Sequence, residues 1–353
     1  MLENSWHKKE KPLFGLTGLG GGVGSNLVGG DDKVYVKDVF STDLWVGTGS
    51  SKDIENDINL DGEGGMVWIK MRTDGYGHRL IDTERTAEQV IESYDYTVEV
   101  TQIGSLTDFN SNGFTVGNAG HTNKLNEDMA SWTFRKAPGF FDIVKFEGNG
   151  TSQAVAHNLG CIPGCIHFKN IDTGVYWASY HIGLSDPSDK AVNLGENWAE
   201  DDDDSYFNDT DPTSTHFTVG DSNSTNMNGD TIIAYLFAAG TDSASQIFGD
   251  DGDESIIKMG TYTGTTSLHT IDTGFAVQWV MVKCITDVSD WVLVDTQRGD
   301  YTNLYPNEAQ AEQVQTAGIK VSPSVASGFS VDGGQGFLNA TGRDYIYVAI
   351  AAE

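Results

Sequence analysis

Positive charge is scarce in this chain. Lys and Arg total 21 against 51 Asp and Glu, a net charge of −30 at pH 7. That balance argues against a nucleic-acid partner, because phosphate binding needs clustered cations. It argues against an anionic membrane surface for the same reason. Long apolar runs are missing too. No stretch approaches ~18 consecutive apolar residues, so no membrane-spanning helix is expected. Cysteine is limited to Cys161, Cys165 and Cys284, which cannot all pair. The CIPGC spacing has one residue too many for a CxxC redox pair, and no second Cys pair or nearby His completes a zinc set. Free, buried thiols are therefore expected. The N-terminal MLENSWHKKEKP lacks the apolar run of a signal peptide, so folding in a reducing compartment is expected.

Catalytic patterns are equally sparse. There is no GxSxG elbow and no HExxH, and none of the eight histidines recurs at a periodic position. Acidic pairs are so abundant that a glycosidase-like separation arises by accident. The glycine-rich stretch GLTGLGGGVGSNLVGG at 15–30 fails as a nucleotide loop, since its third required glycine falls on Val23 or Ser25. No strand–turn–helix context surrounds it either. Read as a partner-docking arm, residues 1–32 present Leu13, Phe14, Leu16, Leu19, Val23 and Leu27 spaced by glycine, a pattern able to order along a partner groove. A loose tail is the other reading.

What the chain has in quantity is glycine, aromatic residues and internal repetition. It carries 42 Gly, 8 Trp, 13 Tyr and 16 Phe, enough to build a core. Three short runs end in Lys: GGMVWIK, PGCIHFK and VQWVMVK align Lys70, Lys169 and Lys283. Each follows an opening run and precedes a partner run. Each unit then closes on a pattern that aligns Phe114, Phe217 and Phe329, then Asn126, Asn228 and Asn339, then Asp128, Asp230 and Asp344. Repetition at fixed spacing marks a repeat architecture. The units run over 33–137, 139–240 and 255–353. Pro138-Gly139 joins the first two, and an acidic linker at 241–254 separates the last, where a hinge is expected. The runs are β-branched and aromatic, bounded by Gly, Asn and Asp. Asn-Gly at 112–113, 149–150 and 228–229 suits tight hairpin turns that need positive φ. The fold class is therefore all-β: three tandem β-sandwich, jelly-roll-like repeats after an extended arm. The stretches 83–94 and 307–315 read as loop insertions with at most a short helix. The aligned lysines read as strand ends that keep sheet edges solvated, and the aligned aspartates as turn residues.

Two binding patterns remain. Asp57, Asn59 and Asp61, followed by Gly62, fit the start of a Ca2+ loop, but Trp68 stands where its bidentate Glu belongs. A plain polar turn fits as well. No other cofactor is indicated. Trp45, Trp177, Trp198 and Trp291 are candidates for stacking on sugars. Trp177 and Trp291 share a repeat position, which points to the core.

The stretch WTFRKAPGFFDIVKFEGNGTSQAVAHNLGCIPGCIHFKN resembles a repeat domain of tailed-phage virion proteins from marine phages and cyanophages. The family runs from a YxGNG-like start, through VKN and WxVYH patterns, to a closing NxxGxxYIAYxFA. The middle unit matches best, and the first lacks the YxGNG start. The resemblance covers 33–353. It implies a non-enzymatic virion protein assembled in the host cytoplasm, most simply a tail fibre or tail-attached accessory protein held by its arm. Its partners are other virion proteins and further copies of itself. A capsid decoration or head-fibre protein is the alternative, and a module binding host surface glycan is the second.

Overall fold

The computed structural model describes residues 33–333 and 336–353. Residues 33–353 form one compact unit, and every strand pairing within its sheets is antiparallel. Three larger sheets share one strand order. In the first, Phe40–Val46, Asp128–Arg135, Gly65–Met71 and Arg79–Asp82 lie side by side. In the second the order is Phe141–Glu147, Thr231–Ala238, Pro163–Asn170 and Ala178–His181. In the third it is Ile257–Thr263, Asp344–Ala351, Val277–Cys284 and Val292–Asp295. Each larger sheet faces a smaller one: Lys52–Glu55 with Gly113–Val116 and Leu106–Asn110, Gln153–Ala156 with His216–Val219, and His269–Ile271 with Phe329–Val331 and Ile319–Lys320. The sheets are sandwich-like.

The apolar runs are continuous because both faces of each larger sheet are buried. In Gly65–Met71, Val67, Ile69 and Met71 pack against Ile54, Phe114 and Val116 of the smaller sheet. The alternate residues, Met66 and Trp68, face a second core. Val277–Cys284 repeats this, with Val280 and Val282 against Phe329 and Val331, and Trp279 and Met281 facing the second core. That second core is common to all three segments. Phe134 stands at its centre. Its ring lies 5.1 Å from Phe40, 5.6 Å from Phe141, 5.6 Å from Phe237 and 5.8 Å from Trp279.

Three buried asparagines tie each opening strand to its closing loop. Asn123 accepts from Thr48 N and donates to the Ser50 and Gly117 carbonyls. Asn226 accepts from Asn149 N and donates to the Thr151 and Gly220 carbonyls. Asn339 accepts from Thr265 N and donates to the Ser267 carbonyl. Two of the aligned positions, Asn126 and Asn228, are therefore displaced by two or three residues from the ones that do this. Sheet register corrects the aspartates also. Asp128 and Asp344 correspond to Thr231, one residue beyond Asp230. The Asn-Gly pair at 112–113 makes a hairpin between Leu106–Asn110 and Gly113–Val116. Gly150 at φ 67° and Gly229 at φ 82° have the expected positive φ but join strands that do not pair with each other, or a helix to a strand, so these two turns are not hairpins.

Two expectations are corrected. The stretches 83–94 and 307–315 are more than loops: they carry short strands, Gln89–Glu92 and Gln313–Val314, because their backbones pair within their own segments, with Arg79–Asp82 and Val100–Thr101 and with Thr302–Asn303. The 241–254 linker is not a free hinge. Phe248 is buried, its backbone pairs with Glu254, Gly249 N donates to Val34 O, and Tyr35 Oη donates to Asp250 at 2.7 Å.

Truncating Phe134 leaves a void bordered by all three segments. Phe134→Ala is expected to cost about 3–5 kcal/mol and to lower a single unfolding transition rather than split it. Chemical denaturation followed by both tryptophan emission and far-UV circular dichroism checks this.

Candidate functional site

The richest polar chemistry lies where the segments meet. Lys70, Lys169 and Lys283 occupy corresponding positions in their strands, opposite Ala130, Ile233 and Ile346. They are 0% exposed. This corrects the expectation of solvated strand ends: each side chain lies on the inward face of a sheet covered on both sides. Each ammonium is wrapped by carbonyls, one of them from another segment. Lys70 Nζ donates to Met71 O and Tyr76 O at 2.6 Å, and to Ala309 O at 3.4 Å. Lys169 Nζ donates to Val175 O at 2.6 Å and Tyr96 O at 3.1 Å. Lys283 Nζ donates to Cys284 O at 2.6 Å and Asn197 O at 3.5 Å. The first segment thus reaches the third, the second reaches the first, and the third reaches the second. The contacts close head to tail into a ring.

Backbone bonds follow the same circuit. Glu312 N donates to Arg72 O, Glu99 N to Ile171 O and Glu200 N to Ile285 O. Each acceptor lies two residues beyond the buried lysine. Trp177 Nε1 donates to Glu92 O at 3.0 Å, and Trp291 Nε1 to Asn193 O at 2.8 Å. These two rings are therefore structural, buried at junctions and closed to sugars.

Side-chain locks complete two junctions in one way and the third in another. Tyr235 Oη donates to Asp82 at 2.7 Å, and Trp132 Nε1 to Asp295 at 3.0 Å. Each carboxylate is also paired with an arginine three residues on, Arg85 or Arg298, at 2.6 Å. At the corresponding third position stands His181. Its Nε2–H donates to Tyr347 O at 3.0 Å, and its Nδ1 accepts from Gly183 N. Burial pushes His181 down to about 4, and His167 to about 3, where the His181 charge adds a smaller effect. No arginine or carboxylate perturbs either group.

Among the described residues no group of three His, Cys, Asp or Glu is placed to hold a metal ion. Asn59 caps the one-turn helix Leu60–Glu63 by accepting from Gly62 N. Asp57 lines a polar cavity of about 520 Å³ beside Asn56 and Gln278, whereas Asp61 lines another beside Asp53 and Asp108. The three cysteines are free and buried; burial pushes the Cys161 thiol up to about 12. The arm positions Leu13, Phe14, Leu16, Leu19, Val23 and Leu27 lie outside the described residues.

One surface feature stands apart. Tyr96, Tyr176 and Trp198 are 53%, 41% and 44% exposed at the junction of the first two segments. Their rings touch edge to face, 5.6 Å apart for the tyrosines and 4.9 Å for Tyr176 with Trp198. Trp45, another of the sugar-stacking candidates, is buried against Phe114.

Two predictions follow from the junction chemistry. Lys70, Lys169 and Lys283 should resist amine acylation in the native protein while exposed Lys37 and Lys145 react, as read by peptide mass spectrometry. The histidines give an acid dependence. Their folded values lie below the unfolded value of about 6.5, so the unfolded chain binds more protons below that pH. Stability should be complete above about pH 6.5 and fall as the pH drops toward 4. His181→Gln should flatten that fall in urea titrations run at successive pH values.

No curated protein matches the chain. Among solved structures, one titled "Crystal Structure of the STIV MCP" aligns over 60% of this chain and 95% of that chain, at 7% identity and a TM-score of 0.20. That score is too low to assign a shared fold. A family profile matches residues 36–353, nearly the whole chain: the protein belongs to the DUF7483 family, a domain of unknown function.

Proposed function

We propose that the protein is a structural, non-catalytic component of a virus particle of the tailed-phage kind, built by triplication of one sandwich unit and attached through its N-terminal segment. The observation that carries this reading is the closed circuit of junction contacts. The buried lysines, the buried carboxylates with their arginines, and the junction tryptophans hold one segment to the next. Chemistry invested in this way serves rigidity. The phage resemblance over 33–353 supports the same conclusion, and so does the common strand order of the three sheets.

The ring also bears on the form of the component. A fibre shaft strung from successive sandwich units needs segments that contact only their sequence neighbours. Here the third segment returns to the first through Trp132–Asp295 and Arg72–Glu312. A compact block seated on the particle, as a tail-attached accessory protein or a capsid decoration, fits this better than an extended projection.

The test is cryo-electron microscopy of purified particles, with and without a truncation before Asp31. One compact density per copy, lost on truncation, is the expected result. Absence of the protein from purified particles overturns the structural reading. Release of reducing sugar from host envelope by the pure protein overturns the non-catalytic one.

A further inference from the structure

The near-threefold correspondence of the junctions serves as an internal control on which side chains the fold requires. Lys169 takes its cross-junction carbonyl from Tyr96, Lys283 takes its own from Asn197, and Lys70 from Ala309. Tyr96, Asn197 and Ala309 are therefore corresponding positions that do the same main-chain work. Trp198 follows Asn197 and corresponds to Thr97 and Gln310. Tyr176 precedes Trp177 and corresponds to Asp290, which precedes Trp291, and to Gly77, which precedes His78. At the corresponding places the fold accepts Asn or Ala in place of Tyr96, Thr or Gln in place of Trp198, and Asp or Gly in place of Tyr176. Nothing in the architecture calls for a large ring at any of the three positions.

Those rings are nonetheless half exposed and in mutual contact. A contiguous exposed aromatic patch on a soluble surface marks a contact site. Trp198 is the one tryptophan among the described residues with substantial exposure; the other six are buried. The surroundings narrow the ligand. Asp95 accepts from Tyr96 N at 2.6 Å, and the Asp95 charge acts on Glu196, two residues before Trp198. Carboxylates here accept hydroxyl protons and repel sulfated or carboxylated chains, a repulsion the net charge of −30 reinforces. A pyranose ring offers the matching surface, an apolar C–H face to lie on an aromatic ring and a rim of hydroxyls to donate to carboxylates.

We propose that Tyr96, Tyr176 and Trp198 form a binding platform for an uncharged oligosaccharide, with Asp95 and Glu196 as hydroxyl acceptors at its edge. The proposal does not depend on the virion reading. Loss of the platform would leave incorporation into particles untouched, and a protein absent from particles would still bind sugar.

The test is a titration of the full chain with neutral gluco-, galacto- and manno-oligosaccharides, followed by tryptophan emission and calorimetry. Sulfated dextran serves as the anionic control and oligolysine as the cationic one. At least one neutral oligomer is expected to bind saturably, and sulfated dextran not at all. The substitutions Tyr96→Asn, Tyr176→Asp and Trp198→Thr install residues that corresponding junctions already carry, so each variant should keep its thermal midpoint. Each should weaken calorimetric binding at least tenfold. Saturable binding of none of the neutral oligomers overturns the proposal. So does binding of oligolysine alone, which would make the patch a site for cationic peptide, and so does full affinity in all three folded variants.

Discussion

An ammonium group enters a protein interior only where oxygen atoms replace its water, and this fold draws part of that oxygen shell from the neighbouring segment. A buried charge without such partners is costly. Lys70, Lys169 and Lys283 each sit on the inward face of a sheet, and each needs a carbonyl that its own segment does not provide. The loops that supply those carbonyls are held in turn by the backbone bonds of Glu312, Glu99 and Glu200. A single segment therefore has an incomplete interior. The common apolar core around Phe134 acts in the same direction, since its face is covered only when three larger sheets converge.

This dependence explains what was legible in the sequence. Strand character, antiparallel pairing and the periodic recurrence of apolar runs are local properties, and the runs GGMVWIK, PGCIHFK and VQWVMVK are strands as their composition indicates. The clue to ring closure was also present. Runs without polar alternation signal sheets buried on both faces, and a second buried face implies a partner beyond the local sandwich. A lysine ending such a run reads as a solvated terminus because lysines are seldom buried. Local carbonyls take each ammonium at 2.6 Å, but carbonyls of loops distant in sequence complete its shell, and spacing within one unit carries no trace of those. The asparagines failed for a smaller reason. Asn123, Asn226 and Asn339 share one spacing to Asp128, Thr231 and Asp344, but in two of the three loops a second asparagine, Asn126 or Asn228, stands nearer the closing strand and draws the alignment to itself.

The stretches 83–94 and 307–315 show how context overrides local preference. Their spacing of Glu, Ala and Gln favours a helix in isolation. Backbone groups there instead pair as strands, Gln89–Glu92 with Arg79–Asp82 and Gln313–Val314 with Thr302–Asn303, and Glu312 N bonds Arg72 O of another segment; a helix would have withdrawn those donors. The Asp57–Asp61 loop is the reverse case. Its residue types fit cation ligation, but its geometry spends Asn59 on a helix cap.

Where three junctions are built alike, their differences separate what the fold demands from what it permits. Main-chain positions are held: the carbonyls that receive the lysines, and the carbonyls two residues beyond the lysines that receive Glu312, Glu99 and Glu200 N, recur three times. Side chains are held less strictly. Asp82 and Asp295 lock two junctions with arginine beside them, while His181 closes the third without any counter-charge. An imidazole can take that place because one N–H and one lone pair meet the two groups available, Tyr347 O and Gly183 N. It remains compatible only while neutral, since a second proton on Nδ1 would face the Gly183 N–H. The junction lacking a carboxylate is thus the one whose integrity rests on protonation state. The ring has three seams of similar construction, and the strength of one of them follows acidity.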